Sequence, residues 1–350
     1  MLDAGAPGSF RPPTPFHVVW LATNACNARC LHCSSSSARR TADELTTHEA
    51  RELVDQLVSA GVVDLGISGG EPMLRKDLPA IIGHAKKRGM TVGVGSNGTT
   101  LVPKTAQRLR ALGLDRYQVS LDGSRAQHDA LRRWPGLFDK AVLSIGIARE
   151  HDLRVHVCMT VHRLNVDELE ALAEHVAALG VHRLNISRFV PTGRGTEALD
   201  LPDAAWRGVI QRCVELRDRM RGRLEVVSHL ALQILADPEI AEMPSFVGCQ
   251  AGIGQGCVTA NGTVYPCVLL PIPVGNVRRA AFETIWRRSP VIQALQRRDS
   301  LEGACSHCAV RSRCGGCRAV AFAKTGNYLA TDGRCWLPSE ASLALEPKGA

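Results

Sequence analysis

Aromatic residues make up only 4% of this 350-residue chain, and no run of about 18 apolar residues occurs in it. The second absence excludes a membrane-spanning helix of ordinary length. The first counts against nucleic acid as a partner, because single-strand binders need stacking platforms beside a basic track. Arginine pairs do recur, at Arg39-Arg40, Arg132-Arg133, Arg278-Arg279, Arg287-Arg288 and Arg297-Arg298, but they are dispersed. The opening "MLDAGAPGSFRPPTPF" lacks the basic start and apolar core of a secretory signal. A cytoplasmic protein with no membrane and no nucleic-acid partner is therefore expected. One further absence is local. "TNACNARCLHCSSSS" (23–37) places Cys26, Cys30 and Cys33 in C-x3-C-x2-C spacing with no fourth cysteine nearby. A structural zinc site takes four protein ligands, and disulfides need an even count.

What is present is ordinary in bulk: 45% apolar and 22% charged residues, enough for a large core in one or two domains. The net charge of +8 fits either a solvated arginine-rich surface or an anionic substrate. The 13 cysteines say more. All but Cys158 and Cys213 fall into three groups, and in a reducing compartment clustered cysteines mean metal or catalysis rather than cross-links.

Six short apolar segments ending at Gly, Asn or Asp read as strands: "HVVWLA" (17–22), "VDLGIS" (63–68), "TVGVGS" (91–96), "RYQVSL" (116–121), "RVHVCMTV" (154–161) and "HRLNISRFV" (182–190). Helical patterns lie between them. The clearest is "NVDELEALAEHVAAL" (165–179), where Asn165 and Glu168 are expected to form a capping box. Strand–helix alternation implies an α/β fold with a parallel sheet, open or curled into a partial barrel. Strand periodicity puts His156, Cys158 and Thr160 on one face, with Gln118 and Ser120, and Asn185 and Ser187, on the same face of their strands. The apolar faces should meet the helices, which leaves a polar lumen suited to a substrate. A loop follows Pro191, then a helix over 203–220. From Cys249 onward the chain is rich in Gly, Cys and Pro with little periodicity, so something covalent must hold it.

Thiolate ligands select zinc or iron–sulfur clusters. For the first trio two solutions remain: zinc with His32 as fourth ligand, or a [4Fe–4S] cluster with one iron left open. The second resembles the radical S-adenosylmethionine (SAM) superfamily, whose C-x3-C-x-aromatic-C loop follows the first barrel strand, with His32 here in the aromatic position. "SGGEP" (68–72), "SNGT" (96–99), "SLDG" (120–123), "HDALR" (128–132) and "RFVPTGRG" (188–195) stand in order at successive strand ends, as in that family. The resemblance implies SAM contacts from Gly69, Gly70, Glu71, Ser96, Asn97, Ser120, Arg132 and Val190. It also implies cluster ligation by Cys26, Cys30 and Cys33.

The C-terminal cysteines resemble a SPASM domain with two further [4Fe–4S] clusters. One would take Cys249, Cys257, Cys267 and Cys317, and the other Cys305, Cys308, Cys314 and Cys335. Zinc ribbons are the alternative. The usual last internal spacing is three residues, but Gly315-Gly316 make it two. The implied layout is an extended N-terminus (1–15), a partial (β/α)6 TIM-like barrel (16–200), a helical linker (201–245), a SPASM domain (246–340) and a tail (341–350). With three [4Fe–4S] clusters and an electron donor such as flavodoxin or ferredoxin, such an enzyme cleaves SAM reductively, and the resulting 5′-deoxyadenosyl radical removes a substrate hydrogen atom.

"CLHCSSSSARR" resembles the mycofactocin maturase and "CGGCRA…GNYLA" the alternative-haem and haem d1 enzymes. Several of these neighbours decarboxylate, which favours loss of CO2 from a small sugar acid, nucleoside or tetrapyrrole. The alternatives are a peptide substrate brought by an escort protein, epimerisation or dehydrogenation of a sugar, and a non-catalytic iron–sulfur scaffold. Sulfatase maturases carry an aspartate base where this chain has Val268. Cys158 is by default a small buried apolar residue, with a hydrogen-atom donor as the alternative its lumen-facing thiol allows. Cys213 lies in an apolar helical pattern that assigns it to packing.

Overall fold

The computed structural model describes residues 12–228, 231–243 and 246–337. Residues 1–11 of the expected N-terminal stretch, residues 338–340 and the expected tail lie outside the described residues. Six parallel strands follow one another in the sheet in chain order: β1 (His17–Leu21), β2 (Asp64–Ser68), β3 (Thr91–Ser96), β4 (Arg116–Ser120), β5 (Val155–Val161) and β6 (Arg183–Arg188). Between and after them run α1 (Thr47–Ser59), α2 (Leu78–Lys87), α3 (Pro103–Ala111), α4 (Arg125–Arg132), α5 (Leu137–Glu150), α6 (Leu169–Ala178) and α7 (Ala205–Arg219).

Alternation along each strand builds the core. Val155, Val157, Met159 and Val161 of β5 are fully buried, as are Leu65 and Ile67 of β2 and Tyr117 and Val119 of β4. They pack in one cluster with Leu53 and Leu57 of α1, Ile81 and Ile82 of α2 and Ile145 of α5. Each such side chain contributes about 1.5–3 kcal/mol by leaving water. The intervening residues face the other way, and parallel register sets them in layers: Gly95, Gln118, His156 and Arg183 lie side by side, and so do Ser120, Cys158 and Asn185. Of these, Gln118, Ser120, His156, Cys158 and Asn185 are lumen residues that the period of two predicts.

Three features depart from the sequence reading. The helix expected over 165–179 is α6 preceded by a short 3-10 turn, Val166–Glu168, and the capping box is not made. Asn165 is engaged elsewhere: its amide nitrogen donates to the Asp122 carbonyl (2.9 Å) and the Thr160 carbonyl (3.0 Å), while its oxygen accepts from the His162 N–H (2.8 Å). The segment 201–245 holds the expected helix, α7, but also a strand, β7 (Glu225–Ser228), that pairs with β6. The Cys-rich segment also joins the sheet: β8 (Gln255–Val258) pairs parallel with β1, followed by antiparallel β9 (Thr263–Tyr265) and β10 (Gly275–Asn276). The result is one ten-stranded sheet, β10-β9-β8-β1-β2-β3-β4-β5-β6-β7. Backbone pairing therefore fastens this segment to the barrel alongside whatever its thiols bind.

Candidate active site

At the C-terminal ends of the strands lies a cavity of about 270 Å³. Parallel strands leave their loops there, and α/β folds bind ligands at that edge. Its walls include Cys26, Cys30 and Cys33, Gly69 and Gly70, Ser96 and Asn97, Ser120, Arg132, Cys158 and Val190. Ten residues singled out as cluster or SAM contacts thus surround one space, joined by the thiol of Cys158. Glu71 is the exception. It is fully buried behind the wall, where its carboxylate accepts from the Ser96 hydroxyl (2.9 Å) and from the backbone N–H groups of Asn97 (2.7 Å) and Met73 (3.1 Å). Burial raises its carboxyl to about 7. It shapes the cavity through Ser96 and Asn97.

The two glycines before it serve the cysteine loop. Gly69 sits at φ +132°, and a Cβ there would lie 2.6 Å from the Thr23 carbonyl; on Gly70 it would lie 2.2 Å from the Ala25 carbonyl. The gap is closed by two backbone bonds, Gly70 N–H to Thr23 O (2.7 Å) and Glu71 N–H to Ala25 O (2.8 Å). The second strand loop therefore grips the first. Arg194 grips it from the other side, donating from Nε to the Cys30 carbonyl (3.0 Å) and from Nη1 to the Ser37 carbonyl (2.8 Å). Sequence reasoning quoted "RFVPTGRG" without assigning Arg194 a role. The arginine beside two glycines was the available signal.

Asp122 was likewise missed within "SLDG". It is 1% exposed and accepts from Arg132 Nε (2.9 Å) and from the Thr160 N–H (3.0 Å), with Arg132 Nη2 at 2.7 Å. Burial alone would raise its carboxyl, but Arg132, with His32 and His128 nearby, holds it well below the usual carboxylate range. The same Arg132 points Nη1 at Cys30 Sγ, 3.8 Å away. Burial raises the Cys30 thiol, and the guanidinium so placed offsets part of that rise. Burial lowers His32 to about 3, which keeps its ring neutral, and its Nε2 turns toward Asp122 at 3.9 Å. Among the described residues no three His, Cys, Asp or Glu side chains are arranged to hold a single metal ion. Burial, reinforced by Asp122, pushes the Cys158 thiol up to about 12, so it stays protonated at neutral pH.

The C-terminal cysteines gather in two places. Cys267 lies in the electrostatic field of Cys249 and Cys317, and Cys257 in that of Cys267. Cys335 feels Cys305 and Cys308, and Cys314 feels Cys335. Cys305, Cys308, Cys314 and Cys335 also line one small cavity. The resemblance to a SPASM domain implies the same two quartets. A buried network joins the first quartet to the barrel: Asp332 accepts from the Cys317 N–H (2.8 Å) and from Arg188 Nη2 (3.2 Å), and Arg188 lines the upper cavity. Arg334 donates to the Phe189 carbonyl (2.9 Å) and pairs with Asp200. Cys213 is buried in the main core, a packing residue as read.

These residues fit the groups that the motifs imply. All 13 cysteines are free thiols, the trio shares its cavity with a guanidinium, and hydroxyl and amide groups from three strand ends face the same space. Sulfur ligands beside hydrogen-bonding groups suit an iron–sulfur cluster and an amino-acid-bearing nucleoside.

Comparison with known proteins agrees. The Radical SAM superfamily model matches residues 20–176, and the iron–sulfur cluster-binding SPASM domain matches residues 249–309. An AdoMet-dependent heme synthase of Methanosarcina barkeri is 32% identical over 92% of this chain and 96% of its own length. The mycofactocin maturase MftC of Mycolicibacterium smegmatis is 32% identical over 88% of this chain and 79% of its own. Among solved structures, Streptococcus suis SuiB bound to its precursor peptide SuiA superposes with a TM-score of 0.77 at 16% identity, covering 93% of this chain and 76% of SuiB. At that identity the likeness speaks for the fold alone. With a relative alike along nearly its whole length and the motif residues around one cavity, the chain belongs to the radical SAM superfamily and is a radical SAM enzyme with a C-terminal SPASM domain.

Proposed function

We propose that the enzyme decarboxylates a small carboxylated biosynthetic intermediate, within the range of sugar acids, nucleosides and tetrapyrroles, and that a tetrapyrrole is the first to test. The observation that carries this reading is the lumen itself. Beneath the upper cavity it widens into a chamber of about 820 Å³ with Arg116, Arg154 and Arg183 on its wall, and guanidinium recognises carboxylate strongly. The heme synthase relative supports a tetrapyrrole. Val268 lines this chamber where a sulfatase maturase would hold its aspartate.

In this reading Cys26, Cys30 and Cys33 hold the cluster that binds SAM, and the two C-terminal quartets hold one [4Fe–4S] cluster each, three in all. Gly69, Gly70, Ser96, Asn97, Ser120, Arg132 and Val190 cradle SAM, and Glu71 positions Ser96 and Asn97. When bound and reduced by a flavodoxin- or ferredoxin-type donor, SAM and its cluster supply a 5′-deoxyadenosyl radical that takes a hydrogen atom from an unactivated C–H. The lumen residues orient that C–H and exclude water. Loss of CO2 from the carbon radical leaves an alkene and one electron for a one-electron acceptor. The test is to supply the reduced, SAM-loaded enzyme with iron coproporphyrin III and measure CO2 and 5′-deoxyadenosine. Equal amounts are expected; deoxyadenosine without CO2 contradicts decarboxylation.

The protonated thiol of Cys158 in the upper cavity favours a second reading, return of a hydrogen atom to the substrate radical, as epimerisation needs. In deuterated water that reading places deuterium in the product, and Cys158→Ala abolishes the label. Unlabelled product leaves Cys158 a packing residue.

A further inference from the structure

The lower chamber is hollow by construction. Its walls on β2 and β3 carry Gly66, Ser68, Gly93 and Gly95. Glycine inside a strand weakens it and often marks a close approach. A Cβ on Gly93 would lie 2.5 Å from Arg116 Nε, and one on Gly66 would lie 3.2 Å from the His17 ring. The missing side chains let Arg116 and His17 lie inward across the sheet. Ser68, Gly95 and Gln118 border both this chamber and the upper cavity, so the two communicate.

Three guanidinium groups enter from the starts of neighbouring strands. Arg116 Nη2 is anchored on Asp64 (2.7 Å), which His17 also contacts at 2.7 Å, and Arg183 pairs with Glu225 (2.6 Å). Arg154 makes no ion pair within 4 Å among the described residues, and Lys86 occupies Asp115, the other carboxylate on the wall (2.5 Å). Counting these groups, Arg116, Arg154, Arg183 and Lys86 outnumber Asp64, Asp115 and Glu225 by one positive charge. Beside them His156 is 4% exposed with its Nε2 unpartnered, and Arg183 Nε is buried and unpartnered too. Buried polar atoms are almost always satisfied in a working protein, so these two leave hydrogen-bonding capacity for whatever fills the chamber.

We propose that this chamber is an anion subsite. Arg116, Arg154, Arg183 and His156 hold substrate carboxylates toward the N-terminal ends of the strands, so that a C–H faces Cys158 and the upper cavity. Four residues of β5 separate His156 from Thr160, about 13 Å of strand, room for a ligand larger than an amino acid. The inference rests on the tetrapyrrole reading above and adds the residues that orient the substrate.

The test is titration of the holoenzyme with iron coproporphyrin III, a tetracarboxylic acid, and with its uncharged tetramethyl ester, followed by the Soret band. The wild type binds the acid at least about tenfold more tightly than the ester, the scale of one charged hydrogen bond. Arg154→Gln with Arg183→Gln removes most of that preference and leaves ester binding in place, and Arg183→Lys restores part of it. Arg154→Gln alone, at an exposed position, carries the test if the double variant does not fold. Equal binding of acid and ester, or a preference that survives in the variants, overturns the subsite. If neither porphyrin binds, the tetrapyrrole reading falls and the inference falls with it.

Discussion

Asp122→Asn removes one charge and almost no volume from the middle of the site. In the wild type one carboxylate oxygen faces both Nε and Nη2 of Arg132, and the other accepts from the Thr160 N–H. An asparagine can satisfy Thr160 only by turning its NH2 toward the guanidinium, donor against donor. Arg132 is 6% exposed, so its charge would remain buried without a counter-ion. Breaking a buried pair from one side costs about 3–5 kcal/mol, which lowers the folded-to-unfolded ratio by roughly two to four powers of ten. Replacing both partners, Asp122→Leu with Arg132→Met, removes the charge along with its partner and costs less than the two single changes together. The assay is urea unfolding of wild type, Asp122→Leu, Arg132→Met and the double variant as a double-mutant cycle, with Asp122→Asn unfolded beside them and SAM affinity of each in parallel. A coupling of about 2 kcal/mol or more and weakened SAM binding in Asp122→Asn are expected. An Asp122→Asn protein within 1 kcal/mol of wild type, with additive effects, would refute the reasoning.

Other changes test other joints. Gly70→Ala drives a methyl group into the Ala25 carbonyl; overpacking of about 1–3 kcal/mol and loss of SAM cleavage are expected, read by thermal melting and 5′-deoxyadenosine assay. Glu71 is raised to about 7 in the fold from 4.5, so the folded state binds the extra proton between those values and stability falls as pH rises through them, by up to about 3 kcal/mol. Glu71→Gln flattens that slope, and unfolding of both proteins at pH 5 and 7.5 checks it; parallel slopes contradict the assignment. Cys308→Ala is expected to lower bound iron by about four per chain, measured by iron and sulfide analysis, whereas an unchanged iron content removes the second auxiliary cluster.

The barrel strands were legible because each is a short apolar-rich run, three of them stopped at once by Gly69, Asn97 or Asp122, and the period of two exposed the polar lumen. The three cysteine groups were legible because sulfur chemistry restricts spacing. What escaped depends on contacts distant in sequence. β8 is four residues long and owes its place to β1, more than two hundred residues earlier. Asn165 looked like a cap because capping is local, yet its amide serves Asp122 and Thr160. Gly69 and Gly70, expected as SAM contacts, line the upper cavity, and the atoms nearest their missing side chains belong to the cysteine loop, a contact that only the fold reveals. The charges of the lower chamber lie at strand starts, and only the closing of the sheet makes Arg116, Arg154 and Arg183 neighbours of one space.

Anaerobic reconstitution with iron and sulfide, metal analysis, and then addition of dithionite and SAM tests the central claim most directly. The account predicts about twelve irons per chain and release of 5′-deoxyadenosine and methionine. Zinc in the cysteine sites, little iron and no deoxyadenosine would contradict it.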